Sequence, residues 1–391
     1  MSGAKRPRRV RRIAVVTGTR AEYGLLRSTI AAIRDHPALR LQVVVTGMHL
    51  LRKFGHTVDD IRRDGWPIDA RVRMQAGDDD PVDQAAGLAR GVAGIARFCV
   101  AARTDVVLVL GDRIEAMAGA LAAVTTGRLL AHIHGGDIAP GDFDDSLRDA
   151  ITKLAHVHLA ATPAAARRLV RMGEPPDRVH VVGAPGLDDI VALRARRPRG
   201  APRRSGTALV LQHPTGRPAT RERRTMGAIL RAVQAVGLSR IVIYPNTDRG
   251  HKGVIDAIKS HRSRSSESDV IVVPSLGRTA YVQRLIDADV LVGNSSSGII
   301  EAPAAGTPVV NVGLRQAGRE RGGAAILDAD ESYTSIVAAL RAALRQRPIS
   351  RRARAYGTGG AAGRIVQVLA AVPLTERFRR KCTRRDQSRR T

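Results

Sequence analysis

The fold is decided by one stretch, Leu110–His158, which reads LGDRIEAMAGALAAVTTGRLLAHIHGGDIAPGDFDDSLRDAITKLAHVH. Two apolar runs, Val106–Leu110 and Leu129–Ile133, enclose a segment of helical length, and ionisable side chains follow each run. This spacing predicts strand, helix and strand in a parallel sheet, whose neighbouring strands send their C-terminal loops to one crevice. We therefore expect the following side chains to be neighbours: Asp112, Arg113, Glu115, His132, His134, Asp137, Asp144 and Asp145.

The same alternation extends outward in both directions. Toward the N-terminus, the apolar run Ile13–Thr17 leads through GTRAEYG into a helical pattern, and Leu41–Thr46 follows as a second strand. Toward the C-terminus, further apolar runs alternate with helical patterns from Ala208 to Val312. Apolar strands separated by helices are typical of a parallel sheet that is covered on both faces. The predicted fold class is α/β, with two doubly wound Rossmann-like domains and a cleft between them.

Chain length and composition set the domain boundaries. At 391 residues the chain exceeds the size of one typical core. An Arg/Pro/Gly-rich segment without periodicity interrupts the alternation and predicts a linker. The predicted boundaries are a basic tail over 1–12, an N-terminal Rossmann-like domain over 13–192, a linker over 193–206, a C-terminal Rossmann-like domain over 207–350, a C-terminal helical segment over 351–374 and a basic tail over 375–391.

The formal net charge of +28 raises the question of a nucleic-acid partner. Most of the excess lies in three short segments, 1–12, 194–204 and 377–391. Aromatic residues make up 3% of the chain, and none is interleaved with the arginine runs as a stacking motif would require. We therefore predict no specific nucleic-acid partner.

Cysteine usage and the N-terminus indicate the compartment. The two cysteines, Cys99 and Cys382, form no CxxC or Cys/His pattern, so neither a disulfide framework nor a structural zinc site is predicted. No apolar run approaches the ~20 residues of a membrane span. The start MSGAKRPRRVRR leads into a strand and not into a signal peptide. We predict a cytoplasmic protein with no membrane partner.

A phosphate site is predicted in the C-terminal half. Gly293–Gly298 reads GNSSSG and joins a strand to a helix, the arrangement that collects hydroxyls and backbone N–H groups around an anion. Glu301 follows one turn later, where it would accept hydrogen bonds from ribose hydroxyls. Simple helix capping by Ser295–Ser297 is the alternative. Arg20 and Arg315 are candidate cations for the same phosphates, with Arg319 as the alternative to Arg315.

The positions of the histidines relative to the predicted strands indicate their roles. His213 ends the first strand of the second half and is predicted to face the cleft. His132 and His134, with Asp137, resemble a metal-hydrolase HxHxxD run, but no further ligand cluster accompanies them, so no metal is predicted. His132 is predicted to be a structural strand-end residue. His156 and His158 are predicted to pack and cap.

The motifs taken together resemble a known family. They are, in order, GTRAEYG, VTGMHL, LGDRIE, HIHGGD, DDSLRDAITKLAHVH, VVGAPGLD, HP, YPNTDRG and GNSSSGIIEAPAAGTPVVNVGLRQAGRE. From about Ile13 to Leu327 the chain resembles the hydrolysing UDP-N-acetylglucosamine 2-epimerases, in the bacterial branch of sialic-acid type. The resemblance implies two domains of the glycosyltransferase-B type, no cofactor, a homodimer or homotetramer, and conversion of UDP-N-acetylglucosamine to UDP and N-acetylmannosamine for nonulosonic acid synthesis.

The resemblance also assigns roles to residues. Elimination of UDP to a glycal, followed by hydration, needs acid/base groups on opposite faces of the sugar. The implied catalytic residues are Asp112, His134, Asp144 and His213. The implied ligands of UDP and the sugar are Arg20, His49, Arg113, Asn246, Ser295, Ser296, Glu301 and Arg315. The identity of the C2 base stays open among His134, Asp137 and a carboxylate, as does the choice between Asp144 and Asp145.

Several other functions remain as alternatives. The nearest shares the reaction and differs in the sugar, UDP-N,N'-diacetylbacillosamine for legionaminic acid synthesis. A retaining glycosyltransferase of the same architecture would need an acceptor and would release no epimerised sugar. A non-hydrolysing epimerase is disfavoured by the HIHGGD and RDAITK motifs, on resemblance alone. A basic nucleic-acid-binding protein would lose its binding when the tails are removed.

Overall fold

The computed structural model describes residues 9–52, 55–76, 81–139, 144–196, 206–246, 248–266, 269–321, 325–346 and 355–381. The chain divides into two compact units. The first comprises Met1–Gly136, Ser146–Pro185 and Gly360–Thr391, and the second comprises Asp137–Asp145 and Gly186–Gly359, in each case as far as these residues are described. Predictions for residues 1–8, 197–205, 347–354 and 382–391 lie outside the described residues.

The first unit is built on a parallel sheet of seven strands. Its strands are β1 (Arg11–Thr17), β2 (Leu39–Thr46), β3 (Ala70–Val72), β4 (Val106–Leu110), β5 (Leu129–Ile133), β6 (Val157–Ala160) and β7 (Val179–Val181). Its helices are α1 (Arg20–Asp35), α2 (Val58–Arg63), α3 (Pro81–Ala101), α4 (Ile114–Thr125), α5 (Asp144–Leu154), α6 (Pro163–Arg171) and, near the C-terminus, α14 (Ala361–Ala371) and α15 (Glu376–Arg379).

Alternation along the strands explains why both faces of this sheet are covered. In β1, Ile13 and Val15 belong to one apolar cluster, and Ala14 and Val16 belong to another. All four are at most 1% exposed. Side chains of successive strand residues point to opposite faces, so one apolar run supplies two cores. Each fully buried aliphatic side chain of this size contributes about 1.5–3 kcal/mol.

The second unit has a parallel sheet of six strands. The strands are β8 (Thr207–Leu211), β9 (Ser239–Ile243), β10 (Val270–Val273), β11 (Val290–Gly293), β12 (Val309–Val312) and β13 (Ile326–Ala329). The helices are α7 (Gly186–Arg196), α8 (Ala219–Ala235), α9 (His251–Arg262), α10 (Arg278–Asp287), α11 (Ser296–Ile300), α12 (Ala302–Ala305) and α13 (Tyr333–Arg345). The predicted α/β class, with two doubly wound parallel sheets, is confirmed.

Each sheet reverses its strand order at one place. The order β3-β2-β1-β4-β5-β6-β7 reverses between β1 and β4, and the order β10-β9-β8-β11-β12-β13 reverses between β8 and β11. In open α/β sheets, ligands bind outside the C-terminal ends of the strands at such a switch point. A ligand site is therefore expected at the loops after β1 and β4 in the first unit, and at the loops after β8 and β11 in the second.

The observed boundaries of the units differ from those predicted at 192 and 351. Residues 186–192 fall within the predicted N-terminal domain, but they begin helix α7, which packs on α10 and α12 of the second unit. Helix α14 returns to the first unit, where it packs on α1. There the guanidinium of Arg11 donates to the carbonyl of Leu369 at 2.9 Å. A helix belongs to the unit that covers its apolar face, and linear order along the chain does not show which unit that is.

Some local predictions are corrected. The helical pattern over Gly298–Ala305 predicts one helix, but α11 and α12 meet at Glu301. Pro303 accounts for the break, because a proline ring clashes with the carbonyl four residues earlier. The helical pattern over Ser146–His156 predicts a helix with Asp144 or Asp145 as its N-cap, but helix α5 begins at Asp144. Strands β3, β6 and β13 were not predicted. None of the described helices is long and apolar enough to cross a membrane.

Candidate active site

The switch point of the first unit carries Asp112. Its carboxylate forms an ion pair with Arg148 of α5, whose side chain is 2% exposed. The loop that presents Asp112 is held by β5: the Gly111 N–H donates to the Ile133 carbonyl at 3.0 Å, and the His132 ring donates from Nε2 to the Gly111 carbonyl at 2.7 Å. The Asp112 side chain keeps 21% exposure. It is therefore a fixed, solvent-accessible carboxylate at the end of a strand.

His134 follows β5 in an unusual backbone conformation. Its φ is +66°, in the left-handed region, and its N–H donates to the Leu159 carbonyl at 3.2 Å. The residue is 7% exposed. A residue with a side chain adopts this conformation at a cost of about 1–2 kcal/mol, which the surrounding structure must offset. Such strain at a strand end is a common feature of functional sites.

The other three histidines of this stretch are buried and hydrogen-bonded within the fold. His132 is fully buried and holds Gly111. His156 accepts the Leu130 N–H at Nδ1, 3.1 Å away, and its Nε2 lies 3.0 Å from the Arg379 carbonyl. His158 contacts the carboxylate of Glu174 at 3.0 Å. Burial lowers the pKa of His156 to about 4, so its ring is neutral in the folded protein at neutral pH.

Two buried carboxylates lie beneath the loops after β1 and β4. Glu115 is fully buried, accepts a hydrogen bond from Gln75 Nε2 at 3.0 Å and pairs with Arg113 at 3.4 Å. A Cβ on Gly18 would lie 2.3 Å from Glu115, so this position requires glycine. Glu22 accepts the Gly18 N–H at 2.8 Å. Burial, together with the nearby charge of Glu115, raises the pKa of Glu22 to about 8.

His49 and Arg20, both predicted to contact the substrate, also contact other residues of the first unit. His49 is fully buried, with Nε2 3.2 Å from Thr17 Oγ1 and Nδ1 2.7 Å from Thr57 Oγ1. Burial lowers the pKa of His49 to about 3. Arg20 begins α1 and forms an ion pair with Asp60 of α2 at 2.9 Å. His49 therefore positions the loop after β2, whereas Arg20 remains a cation beside the end of β1.

In the second unit, Asn294 ties the two switch-point loops together. Its Oδ1 accepts the His213 N–H at 2.7 Å, and its Nδ2 donates to the His213 carbonyl at 2.8 Å. Gly293 has a φ of +136°, and a Cβ there would lie 2.1 Å from the Leu211 carbonyl. The His213 ring accepts the Asn246 N–H at Nδ1, 3.1 Å away. A neutral ring that accepts at Nδ1 carries its proton on Nε2.

The GNSSSG segment, Gly293–Gly298, is called the serine loop below, and two of its serines form hydrogen bonds within the second unit. Ser295 Oγ accepts the Ser297 N–H at 3.3 Å, so Ser295 does cap α11, and Ser297 hydrogen-bonds to Tyr281. Helix α11 has five residues, so its dipole is short and the hydroxyls are its main polar groups. Glu301 is 5% exposed and accepts Arg278 Nη1 at 2.5 Å.

Of the two arginines after β12, Arg315 is the one near the serine loop. Its guanidinium donates to the Asn294 carbonyl at 3.3 Å, and Gln316 donates to the same carbonyl at 3.0 Å. Arg319 instead forms an ion pair with Asp137 at 3.0 Å, and both side chains are largely buried. The structure thus associates Arg315 with the GNSSSG loop and Arg319 with Asp137.

One hydrogen bond distinguishes Asp145 from Asp144, the other candidate for the catalytic aspartate. Asp145 Oδ1 accepts the Ala139 N–H at 3.0 Å and so shapes the loop that follows HIHGGD. Both aspartates lie in the first turn of α5. Within the described ranges, no group of three or more His, Cys, Asp or Glu side chains is arranged to hold a metal ion.

Comparison with known proteins matches residues 31–370 to the family described as UDP-N-acetylglucosamine 2-epimerase. The chain belongs to this 2-epimerase family.

Curated relatives and solved structures agree with this assignment. The chain is 34% identical to UDP-N,N'-diacetylbacillosamine 2-epimerase (hydrolyzing) of Legionella pneumophila, over 95% of this chain and 99% of that one. It is also 34% identical to UDP-N-acetylglucosamine 2-epimerase of Neisseria meningitidis serogroup B, over 80% and 82%. The Methanocaldococcus jannaschii UDP-GlcNAc 2-epimerase, solved with UDP-GlcNAc and UDP, covers 92% of this chain and 100% of its own with a TM-score of 0.75 and 17% identity. The protein is thus an enzyme of the 2-epimerase type.

Sequence reasoning about this 2-epimerase missed the residues that hold the predicted ones in place. They are Arg148 beside Asp112, Asn294 beside His213, Gln316 beside Asn294, Arg278 beside Glu301 and Tyr281 beside Ser297. Arg148, Asn294 and Gln316 lie inside motifs that the sequence did single out, RDAITK and GNSSSGIIEAPAAGTPVVNVGLRQAGRE. Arg278 and Tyr281 lie in none of the quoted motifs.

Proposed function

We propose that this enzyme is a hydrolysing 2-epimerase that converts UDP-N-acetylglucosamine into UDP and N-acetylmannosamine. The observation that carries the proposal is the arrangement at the switch point of the second unit. There, Asn294 binds both backbone groups of His213 and so fixes the histidine beside the serine loop. A nucleotide diphosphate needs such a set of hydroxyl, imidazole and guanidinium donors, and Arg315 supplies the guanidinium.

The reaction removes the C2 proton while the C1–O bond to UDP breaks, which leaves a C1=C2 double bond in a glycal. Water then adds its oxygen to C1, and C2 receives a proton on the opposite face. The overall reaction consumes the nucleotide sugar and one water molecule and yields UDP and the free epimerised sugar. A positioned acid or base typically accelerates such a step by about 10²–10⁴-fold.

Acid and base roles are assigned to Asp112, His134 and Asp144. The Arg148 ion pair supports an ionised Asp112, and the strained backbone supports a functional role for His134. The hydrogen bond of Asp145 to Ala139 supports a structural role for that residue, so the proposal retains Asp144. The Arg319 ion pair likewise supports a structural role for Asp137.

Stabilisation of the departing diphosphate is assigned to Arg20, Ser295, Ser296, Arg315 and His213. Donors that are already in place when negative charge develops lower the barrier, because they need no reorganisation. His213 suits this role as an Nε2–H donor, since its Nδ1 accepts the Asn246 N–H.

The remaining substrate contacts are proposed with their observed surroundings. Glu301 is assigned to the ribose hydroxyls, with Arg278 orienting its carboxylate. Arg113 and Asn246 are assigned to substrate, and His49 acts through Thr17 and Thr57. We further propose a cytoplasmic homodimer or homotetramer that supplies nonulosonic (sialic) acid synthesis.

A second substrate is UDP-N,N'-diacetylbacillosamine. The alignment with the Legionella pneumophila enzyme over nearly all of both chains favours it. Incubation with each nucleotide sugar in D₂O, with EDTA present, followed by proton NMR, tests both. We expect UDP and a free manno-configured sugar deuterated at C2, and the faster substrate identifies the pathway. Free sugar without deuterium at C2, or no reaction with either substrate, would overturn the proposal.

A further inference from the structure

A basic cavity of about 410 Å³ lies beside β3 and α2 in the first unit. It is lined by Leu50, His56, Val58, Arg62, Arg71 and Arg73. Val58 is 1% exposed and Leu50 is partly buried, so these two side chains supply apolar lining. The volume is within the range of small-molecule sites, about 300–1,000 Å³.

The positive charge of this cavity exceeds its negative charge. His56 and Arg62 share one carboxylate, that of Asp59, at 2.9 and 2.7 Å. Arg71 of β3 and Arg73, which directly follows the strand, flank the buried Val72, and both line the cavity. Neither arginine forms an ion pair with a carboxylate in the part of the chain that the structure describes. Among the described residues, these two guanidinium groups therefore line the cavity without an acidic partner.

We propose that this cavity binds a compact phosphorylated metabolite carrying at least two phosphate charges. The planar guanidinium matches the oxygens of a phosphate in a bidentate fashion, and two such groups lining one cavity match two phosphates. The apolar side chains of Leu50 and Val58 would contact the carbon skeleton of the ligand. None of the six lining residues is assigned to the epimerisation chemistry, so the site is separate from the one proposed above.

Helix α2 provides a route from this cavity to the proposed active site. Arg62 lines the cavity, while Asp60 on the same helix forms the ion pair with Arg20 at 2.9 Å. His56 and Val58 line the cavity on either side of Thr57, whose hydroxyl lies 2.7 Å from His49 Nδ1. A ligand bound to Arg62 and His56 contacts the neighbours of Asp60, the partner of Arg20, and of Thr57, the partner of His49. Its occupancy is therefore coupled to Arg20 and His49, a step that rests on the proposed function.

Binding is tested on the full chain with inorganic pyrophosphate, in the presence of saturating UDP to occupy any nucleotide site. The chain has one tryptophan, Trp66, whose backbone N–H donates to the Ile61 carbonyl of α2 at 3.3 Å. Its fluorescence and calorimetry should both report saturable pyrophosphate binding that weakens with salt. R71A/R73A should weaken binding by at least about tenfold, since it removes two charge-assisted contacts to phosphate.

The matched control is R97A/R171A, which removes two exposed arginines that line no part of this cavity. It should bind pyrophosphate like the parent protein. Absence of saturable binding, or equal affinity in R71A/R73A and the parent, would overturn the proposal. This result is independent of epimerase activity, so failure of the proposed function leaves the binding test intact.

Coupling is tested by kinetics on the nucleotide sugar. Pyrophosphate should change KM for the sugar in the parent protein and in R97A/R171A, and should leave it unchanged in R71A/R73A. A KM change that persists in R71A/R73A would show competition at the active site and would overturn the coupling.

Discussion

Arg148 and Asp112 form an ion pair in which the arginine is almost completely buried and the aspartate retains access to solvent. The two residues are 36 positions apart in the chain and come from α5 and the loop after β4. A buried arginine paired with a partly exposed carboxylate restricts the orientation of that carboxylate. The pair therefore leads to the first prediction.

Asp112→Asn should lower kcat by about 10²–10⁴-fold, and Arg148→Met should lower it by a similar factor. Because Asp112→Asn removes the carboxylate and Arg148→Met removes the group that orients it, the double variant should be little worse than either single variant. Turnover of UDP-N-acetylglucosamine measures all three, with circular dichroism to confirm folding. Additive losses in folded variants would show that the two residues act separately.

The second prediction concerns His213 and Asn294. Asn294→Ala removes both hydrogen bonds to the His213 backbone, so we expect a fall in kcat of roughly tenfold or more. In a His213→Ala background the same change should have little further effect on kcat, because its role is to position the ring. Full additivity of the two losses would contradict a positioning role.

The third prediction is a pH dependence of stability that arises from Glu22. Its pKa is raised from 4.5 to about 8 in the folded protein. Between these values the folded protein holds a proton that the unfolded chain has lost, so stability should fall as pH rises from about 4.5 to 8. The contribution is of the order of a few kcal/mol.

Glu22→Gln should flatten that pH dependence, as followed by urea unfolding at pH 5.5, 7 and 8. Glu376→Gln, at a residue whose side chain is 76% exposed, is the matched control and should follow the parent protein. Parallel pH profiles for Glu22→Gln and the parent would contradict the protonated state of Glu22.

The fourth prediction concerns the C-terminal segment. Glu174 is fully buried and contacts Lys381 at 2.6 Å, Lys153 at 3.1 Å and His158 at 3.0 Å. Burial alone would raise the pKa of Glu174, but hydrogen bonds from His158 and Lys381 outweigh it and lower the pKa to about 2. This stabilisation is present above about pH 4.5 and is lost as pH falls toward 2.

Glu174→Gln should destabilise the protein by roughly 3–5 kcal/mol at pH 7, because it leaves the largely buried Lys381 ammonium without its carboxylate. Lys381→Met should also destabilise it, whereas Lys259→Met, at an exposed position of α9, should have no measurable effect. Thermal unfolding distinguishes them. An unchanged melting temperature for Lys381→Met would show that the segment after α14 is not held by Glu174.

Much of the candidate site was accessible from sequence because its residues follow apolar strands. Asp112 comes two positions after β4, and His213 comes two positions after β8. Parallel strands bring such positions to one edge of the sheet, so a local pattern is enough to nominate them. The serine loop was found in the same way, with its capping alternative, and Ser295 does cap.

Assignments that depended on side-chain partners could not be predicted. His49 has the type and position of a substrate ligand, yet both of its ring nitrogens are engaged by threonine hydroxyls. Arg315 and Arg319 are equivalent in sequence, and only their contacts with Asn294 and Asp137 separate them. Such contacts depend on the packing of several elements at once.

The sequence by itself determined the α/β class and the strand ends that carry the chemistry, because hydrophobic periodicity and glycine turns are local properties of the chain. Only the tertiary structure decided which unit each terminal helix joins and which partner each buried charge has. His156 meets the carbonyl of Arg379 across 223 positions, and no local pattern encodes that separation. Burial makes an unpaired polar group costly, so the choice of partner belongs to the folded core as a whole.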